Sequence, residues 1–435
     1  ANVKAHDYTD DVLRTALSHN HSVNVSGGTD KTKVIFTLGY VNDEGIKINS
    51  DYNRLNASFK IRQKLAKTLD LDVDFRYTES NLNGRENVTN GKGSNVSGAY
   101  RYRPIDNPLG GVSYSEVASG FSFGVANIDD KHNPVELIND ITNKSYSRSL
   151  RGSAALSWEI IKGLVARSEL SLTRSSSKST YYENGYTNGD KRATLNRGMG
   201  DGLRSVSTLN YNFNIGKNNV FSALLGNEVL KSDSESSQIT GRGYPSTFDY
   251  DTTMGLIHTA TTSFSATNSY SVPARTVSFF GRLSYTFMDR YLFTGTFRAD
   301  GSSKFSPEHR WGYFPAAAFG WRLSEETFME GTKDWLDNLK VRLSYGTVGN
   351  DGISSDLWSQ TWTSETDLRY QYILNNQYSS SYDLSTEQMA NKNLKWETTI
   401  TRNFGFDFGF LKNRLWGSLD LYWNTTKDLL MLTSL

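Results

Sequence analysis

The chain has 435 residues, of which 37% are hydrophobic and 13% aromatic, with mean hydropathy −0.53, and it contains no apolar run long enough for a transmembrane helix. Its 47 basic and 46 acidic residues leave a formal net charge of +1, so no global field favours nucleic acid. The absence of cysteine excludes disulfides, thiol nucleophiles and cysteine-ligated metals. A low mean hydropathy does not exclude a transmembrane β-barrel, which needs only alternate residues to be apolar. Ala1 opens in polar sequence without the charged start and apolar core of a signal peptide, so a leader has been removed or the chain starts late.

In chain order, a polar segment with a short helical pattern around Val12, Leu13 and Leu17 precedes a hairpin that turns at Gly27-Gly28-Thr29-Asp30 and returns through Val34, Phe36, Leu38 and Tyr40. Leu55, Ala57, Phe59 and Ile61 follow, with a turn near Lys64 and a return through Leu69, Leu71, Val73, Phe75 and Tyr77. A polar stretch from Glu79 to Lys144 reads as a loop too long to be a connector. Leu150 to Trp158 and Leu164 to Leu172 form the next hairpin, turning at Lys162-Gly163. Polar loops are expected over Ser175–Asp201 and Lys231–Ser271, with a hairpin between them that turns at Gly216 to Asn219.

The clearest period of two lies between Phe279 and Gly349. Phe279, Gly281, Leu283, Tyr285 and Phe287 share one face; Tyr291, Phe293, Gly295, Phe297 and Ala299 return after a turn at Met288 to Arg290. Asp300-Gly301 predicts a second tight turn. Trp311, Tyr313, Ala317, Phe319 and Trp321 form the next strand, and Leu339, Val341, Leu343 and Tyr345 the one after, with a helical turn expected between Ser324 and Asn338. Asn350 to Asn393 reads as a loop. The last hairpin carries Phe404, Phe406, Phe408 and Phe410, turns at Lys412-Asn413 and returns through Leu415, Leu419, Leu421 and Trp423.

The pattern amounts to roughly 14 strands in which short turns alternate with long loops, and several strands reach the 9 to 11 residues that cross a bilayer. It predicts an all-β fold, a transmembrane antiparallel up-and-down β-barrel, with a large soluble all-β protein as the alternative. The polar face carries Asp70, Asp72, Asp74, Arg76, Arg282, Arg298, Lys340 and Arg342, expected to line an aqueous lumen. Trp311, Trp321 and Trp423 belong to the apolar face as interface anchors.

No catalytic constellation emerges. There is no G-x-S-x-G elbow, and GKGSNVSG at 91–98 lacks the spacing of a phosphate loop. His19 and His21 share a strand face without a third ligand, and the Asp70-Asp72-Asp74 row lacks the glycine and closing glutamate of a calcium loop. No cofactor, metal or enzymatic activity is expected. Tyr100, Tyr102, Tyr181, Tyr182, Trp358, Trp362 and Tyr370 fall in the long loops, where rings can stack on sugars or peptides or pack loop against loop.

The segments RADGSSKF (298–305), RWGYFPAAAFGWRLSEETFM (310–329), WLDNLKVRLSYGTVGN (335–350) and TKDLL (426–430) resemble the barrel of the SusC/RagA family of TonB-dependent outer-membrane transporters. RTALSHNHSVNVSGGTDKT (14–32) resembles that family's junction between plug and first barrel strand, and RGYPS (242–246) also fits. The resemblance implies residues 1–19 as a plug-to-barrel junction and 20–435 as part of a barrel of about 22 strands, with the plug and its TonB-binding segment outside this chain. It further implies a Gram-negative, Bacteroidetes-type outer membrane, active import of oligosaccharides or peptides energised through TonB, and a SusD-like surface lipoprotein as lid. The aromatic loop residues would then touch either substrate or lid, and transporter-lid pairs could dimerise. A non-transporting β-rich adhesin or glycan-binding protein is the competing class.

Overall fold

The computed structural model describes residues 6–84, 133–186, 189–355, 357–359, 362–365, 372–374, 377–379, 381–384 and 390–431. Its body is one antiparallel sheet of 15 strands. In order these are β1 (Ser18–Gly28), β2 (Thr32–Glu44), β3 (Asp51–Ala66), β4 (Leu69–Asn83), β5 (Ile141–Ile161), β6 (Leu164–Glu183), β7 (Arg192–Ile215) and β8 (Asn219–Arg242). They are followed by β9 (Ser263–Tyr270), β10 (Ala274–Phe287), β11 (Tyr291–Ser302), β12 (Trp311–Arg322) and β13 (Leu336–Asn350). Four short strands, β14 (Trp362–Glu365), β15 (Tyr372–Leu374), β16 (Gln377–Ser379) and β17 (Ser381–Leu384), form two separate pairs, and β18 (Glu397–Phe410) and β19 (Leu415–Lys427) end the main sheet.

Each main strand pairs with its sequence neighbours, as an up-and-down meander requires; β9 alone branches, pairing with the far half of β8 while β10 takes the near half. Successive connections therefore alternate between two ends. At the trimmed end the turns are tight. Met288 and Asp289 take φ of 51° and 55°, both left-handed, in the three-residue connection between the paired Phe287 and Tyr291. Gly163 has φ +82°, and a Cβ there would stand 2.3 Å from the Asn212 carbonyl oxygen. The 3-10 helices Leu323–Glu325 and Thr327–Thr332 form the longest trimmed-end connection, in the place where a helical turn was expected.

The other end is elaborated. Helices α1 (Tyr8–Val12), α2 (Pro134–Asp140) and α3 (Tyr250–Gly255) lie there, and so do three small apolar clusters. These are centred on Tyr8, Val12 and Ile138; on Ala193, Tyr244 and Ile257; and on Phe305, Phe314 and Trp396. Within residues 1–19, expected as a plug-to-barrel junction, Tyr8, Val12 and Leu13 pack in the first cluster: Val12 is fully buried, and Arg14 donates to the carbonyls of Gly45 and Ser50. This gives the segment a local role as a clasp across neighbouring loops.

Two expected boundaries shift. The stretch 175–201 is largely strand and 231–271 about half strand, because β6, β7 and β8 run well past the apolar zone before turning and β9 returns along β8. At about 3.3 Å per residue, the 24 residues of β8 far exceed a bilayer core, so the strands project beyond it. Asp300-Gly301 is not a turn. Both residues sit inside β11, opposite Gly312 and Trp311 of β12, and the chain reverses only after Ser302. The Trp311 ring lies across Gly301, 3.1 Å from where a Cβ would be, covering backbone that glycine leaves bare.

The turn geometry yields a prediction. In refolding of the full-length protein into lipid, Gly163→Val should destabilise the native state by about 2 kcal/mol or more, since it combines a left-handed backbone with a clash against a carbonyl. A denaturant midpoint equal to that of the unmodified protein would contradict the assigned turn.

Candidate functional site

The two faces of the sheet are chemically distinct, and register shows how. One face carries rows of apolar side chains across many strands. Phe213, Phe221, Tyr285, Phe293, Phe319, Leu343, Phe404 and Leu421 are consecutive cross-strand partners from β7 to β19. Neighbouring rings in it lie at centroid distances of 5.0, 4.5, 6.2 and 4.9 Å from Phe213 to Phe319, the first three pairs stacked and the last tilted. One rung nearer the trimmed end, Phe287, Tyr291 and Trp321 stack in turn. On β6 the apolar positions run from Leu164 to Leu172 and stop at Arg174, which pairs with Asp201 of β7 at 3.7 Å. Nine residues of strand between an aromatic girdle and a charged row is the span that crosses a bilayer core. Phe279, Leu283, Phe297 and Leu225 are all more than half exposed on this face. Water would not tolerate so continuous an apolar band, whereas lipid requires it.

Beyond the girdle, Glu326 ties the longest trimmed-end connection to the wall. It accepts from Trp321 Nε1 at 2.9 Å and from Arg290 Nη1 at 3.2 Å. The hydrogen bond from Trp321 is the main cause that holds its carboxyl below the usual carboxylate range, with Tyr291 and Arg290 adding to it.

Register sets Asp70, Asp72, Asp74, Arg76, Arg282, Arg298, Lys340 and Arg342 on the opposite face of the sheet, where several join ion-pair networks. Arg62 and Arg167 both reach Asp72, at 2.6 and 3.0 Å, and Lys60 and Arg76 both reach Asp74, at 3.4 and 2.8 Å. Farther round, Arg298 clamps both oxygens of Asp300 at 2.7 and 2.9 Å. It also donates to Ser278 Oγ at 2.9 Å and to Glu228 at 3.2 Å, while Arg204 takes the other Glu228 oxygen at 2.7 Å. Arg342 bridges Asp407 and Asp420, each at 2.9 Å. Asp70, Arg282 and Lys340 share the face without joining these networks. Glu228, Arg204, Asp407 and Asp420 escaped notice in the sequence, because none has a charged residue two positions away to form a row like Asp70-Asp72-Asp74; only cross-strand register makes each a partner.

The loop aromatics part company. Tyr182 is 4% exposed and donates to Asn184 Oδ1 and the Phe248 carbonyl, so it holds the α3 connection to β6 and offers no ring to a ligand. Its neighbour Tyr181, half-buried on the polar face, stacks under the Arg192 guanidinium at 5.7 Å. Both stand on a strand rather than in a loop. Trp358 is half-buried, its indole N–H unpartnered among the described residues. Trp362 lies on β14, with its side chain outside the described residues, as are Tyr100, Tyr102 and Tyr370. The His19 and His21 rings are 5.0 Å apart, and no group of three metal-ligating side chains occurs among the described residues.

A meander with an apolar outer band, a charged inner face, tight turns at one end and elaborated connections at the other defines the wall of a transmembrane β-barrel. The family model for TonB dependent receptor-like, beta-barrel proteins matches residues 94–435, and the chain belongs to that family. It is 28% identical to the TonB-dependent receptor SusC of Bacteroides thetaiotaomicron over 98% of its own length and 42% of that protein's. It is 27% identical to TonB-dependent receptor P3 of Formosa agariphila, again over 98% of this chain and 41% of the relative. The RagAB peptide transporter structure superposes with a TM-score of 0.78 at 20% identity, covering 98% of this chain and 46% of that one, which shows the shared fold. The chain thus spans less than half the length of these relatives. Such proteins reside in the outer membrane.

Two outcomes test the wall. Arg298→Leu leaves Glu228 with one partner and nearly buried Asp300 with none, and should cost roughly 3 kcal/mol in denaturant unfolding, more than Arg282→Leu on the same face. For Glu326, the folded carboxyl titrates below its unfolded value. Its contribution is therefore fully present above the ordinary carboxylate range and is lost as pH falls through the depressed folded pKa. Melting curves of Glu326→Gln and the unmodified protein should converge on acidification; a constant gap would refute the linkage.

Proposed function

We propose that this chain is part of the wall of an active importer for oligosaccharides or peptides, energised through TonB and closed on the cell surface by a SusD-like lipoprotein. The observation that carries the reading is the wall itself: an apolar exterior of bilayer height around a face paved with hydrated ion pairs, on strands that project past the membrane as a vestibule. Family membership supports it, as do the printed roles of relatives: one is a receptor dependent on TonB and another a peptide transporter.

β1 and β19 each pair on one side only among the described residues. Lipid cannot satisfy a row of bare backbone groups, so the reading requires further strands to close the barrel. It also places a plug, which would transmit the pull of the TonB complex, within the lumen. The tall β5–β8 projections, braced by α3 and its apolar cluster, offer a firm seat for a lid protein. An exterior of exposed rings and leucines speaks against the soluble adhesin.

Extraction of the full-length protein from native membrane in mild detergent, followed by mass spectrometry of everything that copurifies, tests this reading. A surface lipoprotein with bound oligosaccharide or peptide is the expected result. Recovery of the protein alone in the aqueous fraction would overturn it.

A further inference from the structure

The polar face is not evenly balanced. The β7–β11 network matches Arg204 and Arg298 with Glu228 and Asp300, and Arg342 has two carboxylates. Between β2 and β6, by contrast, a recess of about 460 Å³ is lined by Lys33, Lys60, Arg62, Arg76, Arg151 and Arg167. Only Asp72, Asp74 and Glu169 oppose them there. Each aspartate is already shared between two cations.

Register makes the excess more pointed. Arg76 stands directly opposite Arg151, in the middle of paired strands, and Lys33 directly opposite Arg62. Directly opposed like charges destabilise a sheet, and a sequence free of other demands would replace one of each pair. Among the described residues Arg151 has no carboxylate partner, its Nε donating to Ser171 Oγ at 3.1 Å, and Lys33 has no ion pair. Their charge is available to something that enters the recess. The wall around them is low in dielectric on its lipid side, which strengthens attraction to an anion in the water-filled side.

We infer that this recess is an anion-binding site on the lumenal wall, built for carboxylate or sulfate groups, with Lys33 and Arg151 as its free cations and the Arg62 and Arg76 guanidiniums beside them. The inference rests on reading the polar face as the lumen of an importer. The ligand is an acidic oligomer passing through the lumen, whose carboxylates or sulfates meet these cations; polypeptide seated in the lumen is the competing outcome of the test.

The test uses the full-length protein in detergent, with hexagalacturonate as the anionic probe and maltohexaose as its neutral counterpart, on the unmodified protein, Lys33→Gln/Arg151→Gln and the control Lys340→Gln. If a passing oligomer supplies the anion, the double variant binds hexagalacturonate at least tenfold more weakly, maltohexaose binding does not change, and Lys340→Gln behaves as the unmodified protein. If the unmodified protein takes no probe and the double variant melts at a lower temperature, carboxylates of polypeptide seated in the lumen hold these cations and the inference is overturned. The inference is overturned if the double variant binds the probe as tightly as the unmodified protein. It is equally overturned if no probe binds and the double variant melts at the same or a higher temperature, the sign of repulsion merely relieved. An importer of neutral cargo would still copurify with its lipoprotein, so this inference and the import reading fail separately.

Discussion

Everything in this molecule depends on one constraint: a backbone that passes through hydrocarbon must satisfy its N–H and C=O groups within the protein. A meander of neighbouring antiparallel strands does so with no crossover and with turns of two or three residues. The ladder from β1 to β19 is therefore the framework, and side chains are free to serve the two solvents it separates. This explains why the apolar clusters of the chain are small and lie at the loop-bearing end. The wall has no interior in the usual sense, since lipid covers one face and water the other.

On the lipid side, stacked aromatic rows near the trimmed end fix the depth of the barrel, while the Arg174–Asp201 pair marks the opposite limit. On the water side, ion pairs along a strand, such as Arg298–Asp300 and Arg76–Asp74, are joined to others that run across strands. Arg298 touches side chains from β8, β10 and β11, and Arg342 touches β18 and β19. Such bridges cost less than in a dry core because water reaches them, and they hold the register of a sheet whose faces alternate with every residue. A slip by one position would send arginines into lipid.

The projecting strands link this wall to function. Above the membrane both faces of β6, β7 and β8 become polar, and the sheet continues as a rigid collar whose upper edge is locked by Lys191 donating to the Phe248 and Ser246 carbonyls. Loops set on such a collar are positioned rather than merely tethered.

The alternation of Phe279 to Phe287, Phe293 to Phe297 and Phe404 to Phe410 by itself determined two-faced strands, and the succession of short turns and long loops gave the meander its two unlike ends; whether lipid or a protein core covers the apolar face is not written in a period of two. The alternation also placed Asp72, Arg298 and Arg342 on the polar face. It could not extend β6 to Glu183 or begin β7 at Arg192, since alternation vanishes where both sides are wet, and it took Asp300-Gly301 for a turn because a dipeptide carries no information about the Trp311 ring that covers it. The tertiary structure alone decided that Tyr182 is a buried brace, that Glu228 joins Arg204 to Arg298, and that Arg76 faces Arg151. Each depends on register between strands, a property of pairs of segments that no single stretch of sequence contains.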